Sequence, residues 1–175
     1  ETFFNYYRKY MLMPRLQPSD GFYALAELEK RGKLQCSIAN NVHNLPGRAG
    51  CTKILNLHGT IYDNECPRCG KKYSMEYMRD SKKVPLCEDC MVPVRPKVLL
   101  FGEQVDNQMM TTAVGEISKA EVLLLLGTSI NSGLCDGYVQ YFHGKTMIII
   151  SASKHFMDEK ADVALHEEVK TALPK

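Results

Sequence analysis

The sequence contains no tryptophan, so aromatic bulk in any core must come from its nine tyrosines and six phenylalanines. It has no excess of charge of one sign, since 22 basic and 20 acidic residues leave a formal +2. That near-balance removes the field argument for a nucleic-acid or anionic-membrane surface. No apolar run approaches the ~20 residues a helix needs to cross a bilayer. The longest, residues 122–126, has the length of a core strand, and no membrane partner is expected. The start, Glu1-Thr2-Phe3-Phe4-Asn5, has neither an initiator methionine nor the pattern of a signal peptide, and the protein is expected to begin upstream of it. Neither Gly-x-Gly-x-x-Gly nor a Gly-Lys-Ser/Thr phosphate loop occurs, so a self-contained nucleotide fingerprint is absent. At 175 residues and 45% hydrophobic, the chain has room for one domain, or one domain with a small inserted module.

What is present is cysteine in a pattern. Cys66-x-x-Cys69 is followed, after seventeen residues, by Cys87-x-x-Cys90. Each pair makes a tight knuckle with two sulfurs pointing the same way, and four thiolates so arranged close a tetrahedron around one Zn2+. Four unrelated buried thiols would not explain two knuckles at ribbon spacing, and two redox motifs in one short stretch would be unusual. Four protein ligands leave no open position, so this zinc is expected to hold structure and not to activate water. The remaining Cys36, Cys51 and Cys135 do not pair evenly, which argues against a disulfide framework and for a reducing, intracellular and cytoplasmic setting. Each reads as a small buried hydrophobe.

Periodicity organises the rest. Aromatic residues at 3, 4, 6, 7 and 10 predict a helix over 3–13 that stops before Pro14. Ser19-Asp20 offers an N-cap to a helix carrying Phe22, Leu25, Ala26 and Leu28 and ending at Gly32. Residues 35–39 and 53–57 read as short strands. A zinc module is placed at 62–93, with Lys71, Lys72, Lys82 and Lys83 as solvated surface. Residues 98–101 read as an apolar strand. Residues 106–119 read as a helix with Met109, Met110, Ala113, Val114 and Ile117 inward. Residues 122–126 and 147–150 read as core strands, and 137–143 and 163–173 as helices. Apolar strands alternating with helices imply an α/β fold: a Rossmann-like parallel sheet with helices on both faces, plus a small inserted zinc-ribbon module. The larger domain is placed at 1–61 and 94–175.

Ligands in such sheets bind at the carboxyl ends of the strands. Residues 40–45, His58-Gly59, Phe101-Gly102-Glu103 and Gly127-Thr128-Ser129 all fall at predicted strand ends. An imidazole at position 58 can act as a general base or serve structure. Gly127-Thr128-Ser129 can approach a ribose or phosphate, or simply turn the chain. Asn40, Asn41 and Asn44 can read a ribose or carboxamide, or cap turns. Phe101 can wall an apolar channel or belong to a core.

The ordered set Asn41-Val42, Asn44-Leu45, Ala49-Gly50, Leu57-His58-Gly59, the four cysteines, Arg95-Pro96, Phe101-Gly102-Glu103 and Gly127-Thr128-Ser129 resembles the sirtuin family, the NAD-dependent protein deacylases. The resemblance runs over residues 20–173 and implies NAD bound between a Rossmann-like domain and a zinc module, with an acylated-lysine protein or peptide as substrate. By that match, His58 is the base and Asn41 contacts the nicotinamide-side ribose. Asn40, His43 and Ser151 also fall in the cofactor-binding segments. Gly127, Thr128 and Ser129 hold the adenosine ribose and phosphates. Phe101 lines the acyl-lysine tunnel, Gly102 and Glu103 follow the substrate backbone, and Cys66, Cys69, Cys87 and Cys90 bind zinc.

The sequence departs from the family pattern in three places. The opening Gly-Ala-Gly-x-Ser and Ile-Pro-Asp-Phe-Arg segment is missing, which leaves the NAD-binding domain incomplete at its start. Asn40-Asn41-Val42-His43-Asn44-Leu45-Pro46 carries His43 where the family has Asp. Ser151 stands where the family has Asn. These departures keep two alternatives open beside lysine deacylation: ADP-ribosyl transfer to protein, and a non-catalytic module that binds NAD or ADP-ribose. A zinc-ribbon nucleic-acid binder is disfavoured by the weak net charge and the lack of a basic, aromatic stripe. Acyl group, protein substrate and oligomeric state are not written in the residues.

Overall fold

In the computed structural model, residues 1–13, 16–130, 132 and 135–174 are described. They fall into two compact units, residues 1–17, 39–44 and 56–105, and residues 18–38, 45–55 and 106–175. In chain order the first elements are α1 (Thr2–Tyr6), which runs on as a π-helical turn (Tyr7–Met11), α2 (Asp20–Lys30), β1 (Ser37–Ala39), α3 (Leu45–Ala49) and β2 (Ile54–Asn56). Next come β3 (Gly59–Glu65), β4 (Lys72–Tyr73), α4 (Met75–Asp80) and β5 (Arg95–Val98). The last are α5 (Asn107–Lys119), β6 (Val122–Leu126), α6 (Cys135–Val139), β7 (Thr146–Ile150), a 3-10 turn (Phe156–Lys160), β8 (Val163–Leu165) and α7 (Val169–Ala172). No helix among the described residues is long and apolar enough to cross a membrane.

The first unit is built on an antiparallel sheet of order β4-β3-β5. Its core joins Ile61, Tyr73, Val94 and Val98 to Met75 and Met78 of α4 and to Phe4 and Tyr7 of the N-terminal helix. Met78 and Val94 are fully buried, and complete burial of such a side chain contributes about 1.5–3 kcal/mol. Ser74 starts α4 by accepting a hydrogen bond from the Tyr77 N–H at 3.1 Å. Arg8 ties the N-terminal helix to this core by donating to the Met78 carbonyl at 3.0 Å. The expected helix over 3–13 is therefore present over Thr2–Met11, with its last turn wound as a π-helix.

The second unit carries the parallel sheet β6-β7-β8, in the register Leu124↔Ile148 and Ile149↔Ala164. Leu125 and Ile149 are buried on it beneath Val139 of α6 and Met157 of the 3-10 turn. The Asp106 carboxylate accepts from the Met109 N–H at 3.0 Å and so caps α5. α2 packs on α3 and α7, and α5 on α6.

Four expectations are corrected. Residues 163–165 form β8 and not the start of a helix: they complete the open edge of β7, and the Ser151 N–H continues the ladder to the Leu165 carbonyl at 3.0 Å. Residues 98–101 are not a strand of the parallel sheet: the strand is β5, which ends at Val98 and pairs antiparallel with β3. The helix expected over 137–143 is α6, shifted toward Cys135. Met110 was expected inward but lies in the first turn of α5, 39% exposed. Ala113 and Ile117 do face inward.

Candidate functional site

The two cysteine pairs fold as matched knuckles. In the first, the Gly70 N–H bonds the Cys66 carbonyl and the Cys66 N–H bonds the Lys71 carbonyl, both at 2.9 Å. The second repeats the pattern, with Met91 N–H to Cys87 carbonyl at 2.9 Å and Cys87 N–H to Val92 carbonyl at 2.8 Å. Gly70 (φ 73°) and Met91 (φ 53°) occupy the same left-handed position in the two knuckles. The four sulfurs lie within 4.8 Å of one another, and Cys69 and Cys87 are 3.7 Å apart. Thiolates about 2.3 Å from one zinc ion stand about 3.8 Å apart, so the set fits that metal.

The electrostatics agree with a metal. The Tyr73 hydroxyl donates to Cys87 Sγ at 3.2 Å and accepts from the Glu88 N–H at 2.9 Å. That donated bond leads the effects that pull the Cys87 thiol down to about 6 despite its burial. Cys90 is pushed up to about 12, first by its bond to Cys69 and then by burial. Gathering four thiolates this closely is favoured by a cation among them. Lys71 pairs with Glu88 at 2.9 Å and Asp89 at 3.1 Å and so joins the two knuckles from outside. Lys72, also expected as solvated surface, is tied to Asp63 and Glu65.

The knuckles grip one end of a ribbon. Cys66 directly follows β3, and β5 begins after the second knuckle. At the other end of the same pair stand His58, just before β3, and residues 99–103, just after β5. Gly59 is opposite Val98 in the register, and the Leu99 N–H bonds the His58 carbonyl at 2.9 Å. Gly59 has φ 68°, and a Cβ there would meet the Lys97 carbonyl oxygen at 1.7 Å, so this approach admits only glycine. The His58 residue is half-buried, neither packed away nor fully open.

In the same unit, residues 40–44 are folded on themselves. Asn41 Oδ1 accepts from the His43 N–H at 3.1 Å, an Asx turn that fixes the amide. Asn44 is left-handed (φ 47°), and its Oδ1 accepts from Asn56 Nδ2 at 3.3 Å. The Ile61 N–H bonds the Val42 carbonyl at 3.0 Å, which anchors the segment to β3. Asn41 and His43 are half-buried and Asn40 is exposed.

Residues 100–103 form a turn, closed by the Glu103 N–H to the Leu100 carbonyl at 3.0 Å. Phe101 at its tip is fully exposed (109%), so in this unit it lines no core. In the second unit, Gly127, Thr128 and Ser129 follow β6 and Ser151 follows β7, all at the carboxyl edge of the parallel sheet. The Gly127 N–H bonds the Ile150 carbonyl at 2.8 Å, so the two segments are neighbours. The Thr128 and Ser132 hydroxyls are 2.9 Å apart. The expected residues are thus gathered into two sets, one in each unit.

The Sir2 family model matches residues 1–132. The chain belongs to the Sir2 family. An NAD-dependent protein deacetylase of Clostridium perfringens is 35% identical over 176 residues, covering all of this chain and 72% of the relative. One of Clostridium acetobutylicum is 34% identical, covering 97% of this chain and 69% of the relative. Among solved structures, Sir2 in complex with a p53 peptide and NAD+ superposes with TM-score 0.83 at 28% identity, over 98% of this chain and 74% of that one. Sir2 bound to an acetylated peptide does so with TM-score 0.81 at 27% identity, over 98% of this chain and 77% of that one.

Two residues of this Sir2 chain escaped sequence reasoning. Tyr73 carries no motif signal, because the only clue is its hydroxyl bond to Cys87. Arg95 was noted beside Pro96 but not as a partner of Glu103, to which its guanidinium donates.

Proposed function

We infer that this chain is an NAD-dependent protein lysine deacylase. The observation that carries the reading is the juxtaposition of His58 and the 99–103 segment at one end of the β3–β5 pair, in a family whose members above are named for that activity. NAD, when bound, would supply an electrophilic ribose carbon, to which the acyl oxygen of the substrate bonds as the carbon–nitrogen bond to nicotinamide breaks and nicotinamide leaves. His58 would serve as the base that accepts a proton from a ribose hydroxyl. The Asn41 carbonyl oxygen is occupied by the His43 N–H, which leaves its Nδ2 to donate to the nicotinamide-side ribose. Gly127, Thr128, Ser129 and Ser151 receive the adenosine ribose and phosphates, with Asn40 and His43 completing the cofactor set. Phe101 walls the acyl-lysine, while Gly102 and Glu103 run along the substrate backbone, which adds as a strand. Cys66, Cys69, Cys87 and Cys90 hold Zn2+ as a structural ion. Cys36, Cys51 and Cys135, outside the zinc set, do not pair evenly, which suits a reducing compartment inside the cell.

His43 favours a second reading. An imidazole at the position where the family resemblance expects Asp brings no fixed negative charge to the nicotinamide side. That suits ADP-ribosyl transfer to protein, or NAD binding without efficient deacylation. One assay separates them: full-length protein is incubated with NAD and a panel of acyl-lysine peptides, and nicotinamide release is followed. The deacylase reading expects peptide-dependent release that is abolished by His58→Ala with zinc still bound. Release that survives that substitution removes His58 from the base role. Release that needs a protein acceptor but no acyl group selects ADP-ribosyl transfer, and NAD binding without any release selects the non-catalytic module.

A further inference from the structure

The turn that follows β5 is latched twice. Its backbone closes through the Glu103 N–H and the Leu100 carbonyl at 3.0 Å. The Glu103 side chain then returns along the same turn, and its Oε2 accepts from the Leu100 N–H at 3.0 Å. Its other oxygen, Oε1, accepts from the Arg95 guanidinium. Gly102, the third residue of the turn, has φ 86°, the value a type II turn requires at that place. Phe101, the second, is therefore thrown clear of the chain and stands fully exposed.

Arg95 is itself well placed to hold this latch. It is the first residue of β5 and is paired in the sheet with Glu65, next to Cys66. The Glu65 carboxylate is engaged by Lys72 at 2.8 Å and by Lys97. The cross-strand acid is thus neutralised by two lysines, and Arg95 is left to Glu103. The Glu103 carboxyl is held below the usual carboxylate range, first by the Leu100 N–H and then by Arg95. It stays ionised as the latch requires.

We propose that Arg95 is a positioning residue, acting through Glu103 to hold the 100–103 turn in the form that presents Phe101 to the acyl-lysine peptide. This rests on the deacylase reading for its substrate and on the hydrogen bonds alone for the latch. Arg95 touches neither substrate nor NAD in this scheme. Its removal loosens the turn, weakens the response to peptide and leaves the response to NAD unchanged. Arg95 and Glu103 are 51% and 35% exposed, so the ion pair is screened by solvent. An exposed pair of this kind shifts an equilibrium by about two- to fivefold.

The test uses the zinc-loaded full-length protein and its Arg95→Gln and Arg95→Lys variants, with zinc content measured to verify the fold. Amide hydrogen exchange is read over residues 99–103. The Leu100 amide should exchange about two- to fivefold faster in Arg95→Gln, with Arg95→Lys between it and the parent. The difference should narrow at 1 M salt, which a packing defect would not do. The KM for an acyl-lysine peptide should rise by about the same factor in Arg95→Gln, with the KM for NAD unmoved. Unchanged exchange at Leu100 overturns the latch, and an unchanged peptide KM overturns its role toward substrate. A parent protein that releases no nicotinamide sinks the deacylase reading instead, and the exchange result still decides the latch.

Discussion

Substituting alanine for Gly59 tests how the zinc ribbon reaches the proposed base. The residue follows His58 and opposes Val98 across the β3–β5 ladder. Its φ of 68° disfavours any side chain, at about 1–2 kcal/mol for an L-residue in that region. The new Cβ would also stand 1.7 Å from the Lys97 carbonyl oxygen and 2.8 Å from its carbon. The opposing backbone would have to retreat by roughly the same distance again to restore ordinary contact. That motion pulls β5 off β3 and breaks the Leu99 to His58 hydrogen bond together with its neighbour in the ladder, at about 1 kcal/mol for each bond lost. The substitution should therefore destabilise by about 3–4 kcal/mol, a large share of the ~5–15 kcal/mol that holds a domain together. Urea unfolding of the zinc-loaded protein measures the loss, and nicotinamide release measures its effect on the site. Stability within 1 kcal/mol of the parent, with turnover unchanged, would refute the close-approach argument.

The two knuckles make a gentler test. Met91 holds the left-handed position that glycine fills in the first knuckle and is 67% exposed, so Met91→Gly should stabilise by up to about 1 kcal/mol in thermal unfolding. His43→Asp should raise peptide-dependent nicotinamide release by about tenfold or more, and an equal or lower rate would count against the reading of that position. The Glu103 carboxyl is held below its ordinary value of 4.5 by the Leu100 N–H and Arg95. Its contribution is present above that ordinary value and is lost as pH falls through the lowered one. Parent and Glu103→Gln should thus differ in unfolding midpoint at neutral pH and converge once the medium is acid enough to protonate Glu103.

Sequence legibility followed the kind of signal each element carries. The zinc set was legible because each knuckle fixes two donors close in sequence and the second knuckle recurs at ribbon spacing. β6 and β7 were legible because buried parallel strands read as continuous apolar runs, and α2 and α5 because an apolar stripe at helical spacing runs along each. β5 was obscured by Pro96, which reads as a breaker. A proline is tolerated there because, among the described residues, β5 is an edge strand paired with β3. Its alternation of exposed Arg95 and Lys97 with buried Pro96 and Val98 is the half-buried pattern of that edge. β8 was read as helix because Val163, Ala164 and Leu165 are three exposed residues, placed by backbone pairing to β7 and not by burial. The candidate residues came from motifs in the sequence, but the ties among them did not. No local pattern shows that the 100–103 turn is latched by Arg95, or that Tyr73 donates to Cys87.

The β3–β5 ribbon, gripped by the cysteine knuckles, keeps His58 beside the 99–103 segment, which is proposed to receive acyl-lysine. The most direct measurement is nicotinamide release from NAD by the full-length protein, with and without an acyl-lysine peptide, before and after zinc is stripped and restored. The account predicts release that requires peptide, disappears when the metal is removed and returns with one zinc per chain. Equal turnover without zinc, or no release from the zinc-loaded protein across a broad acyl panel, would contradict it.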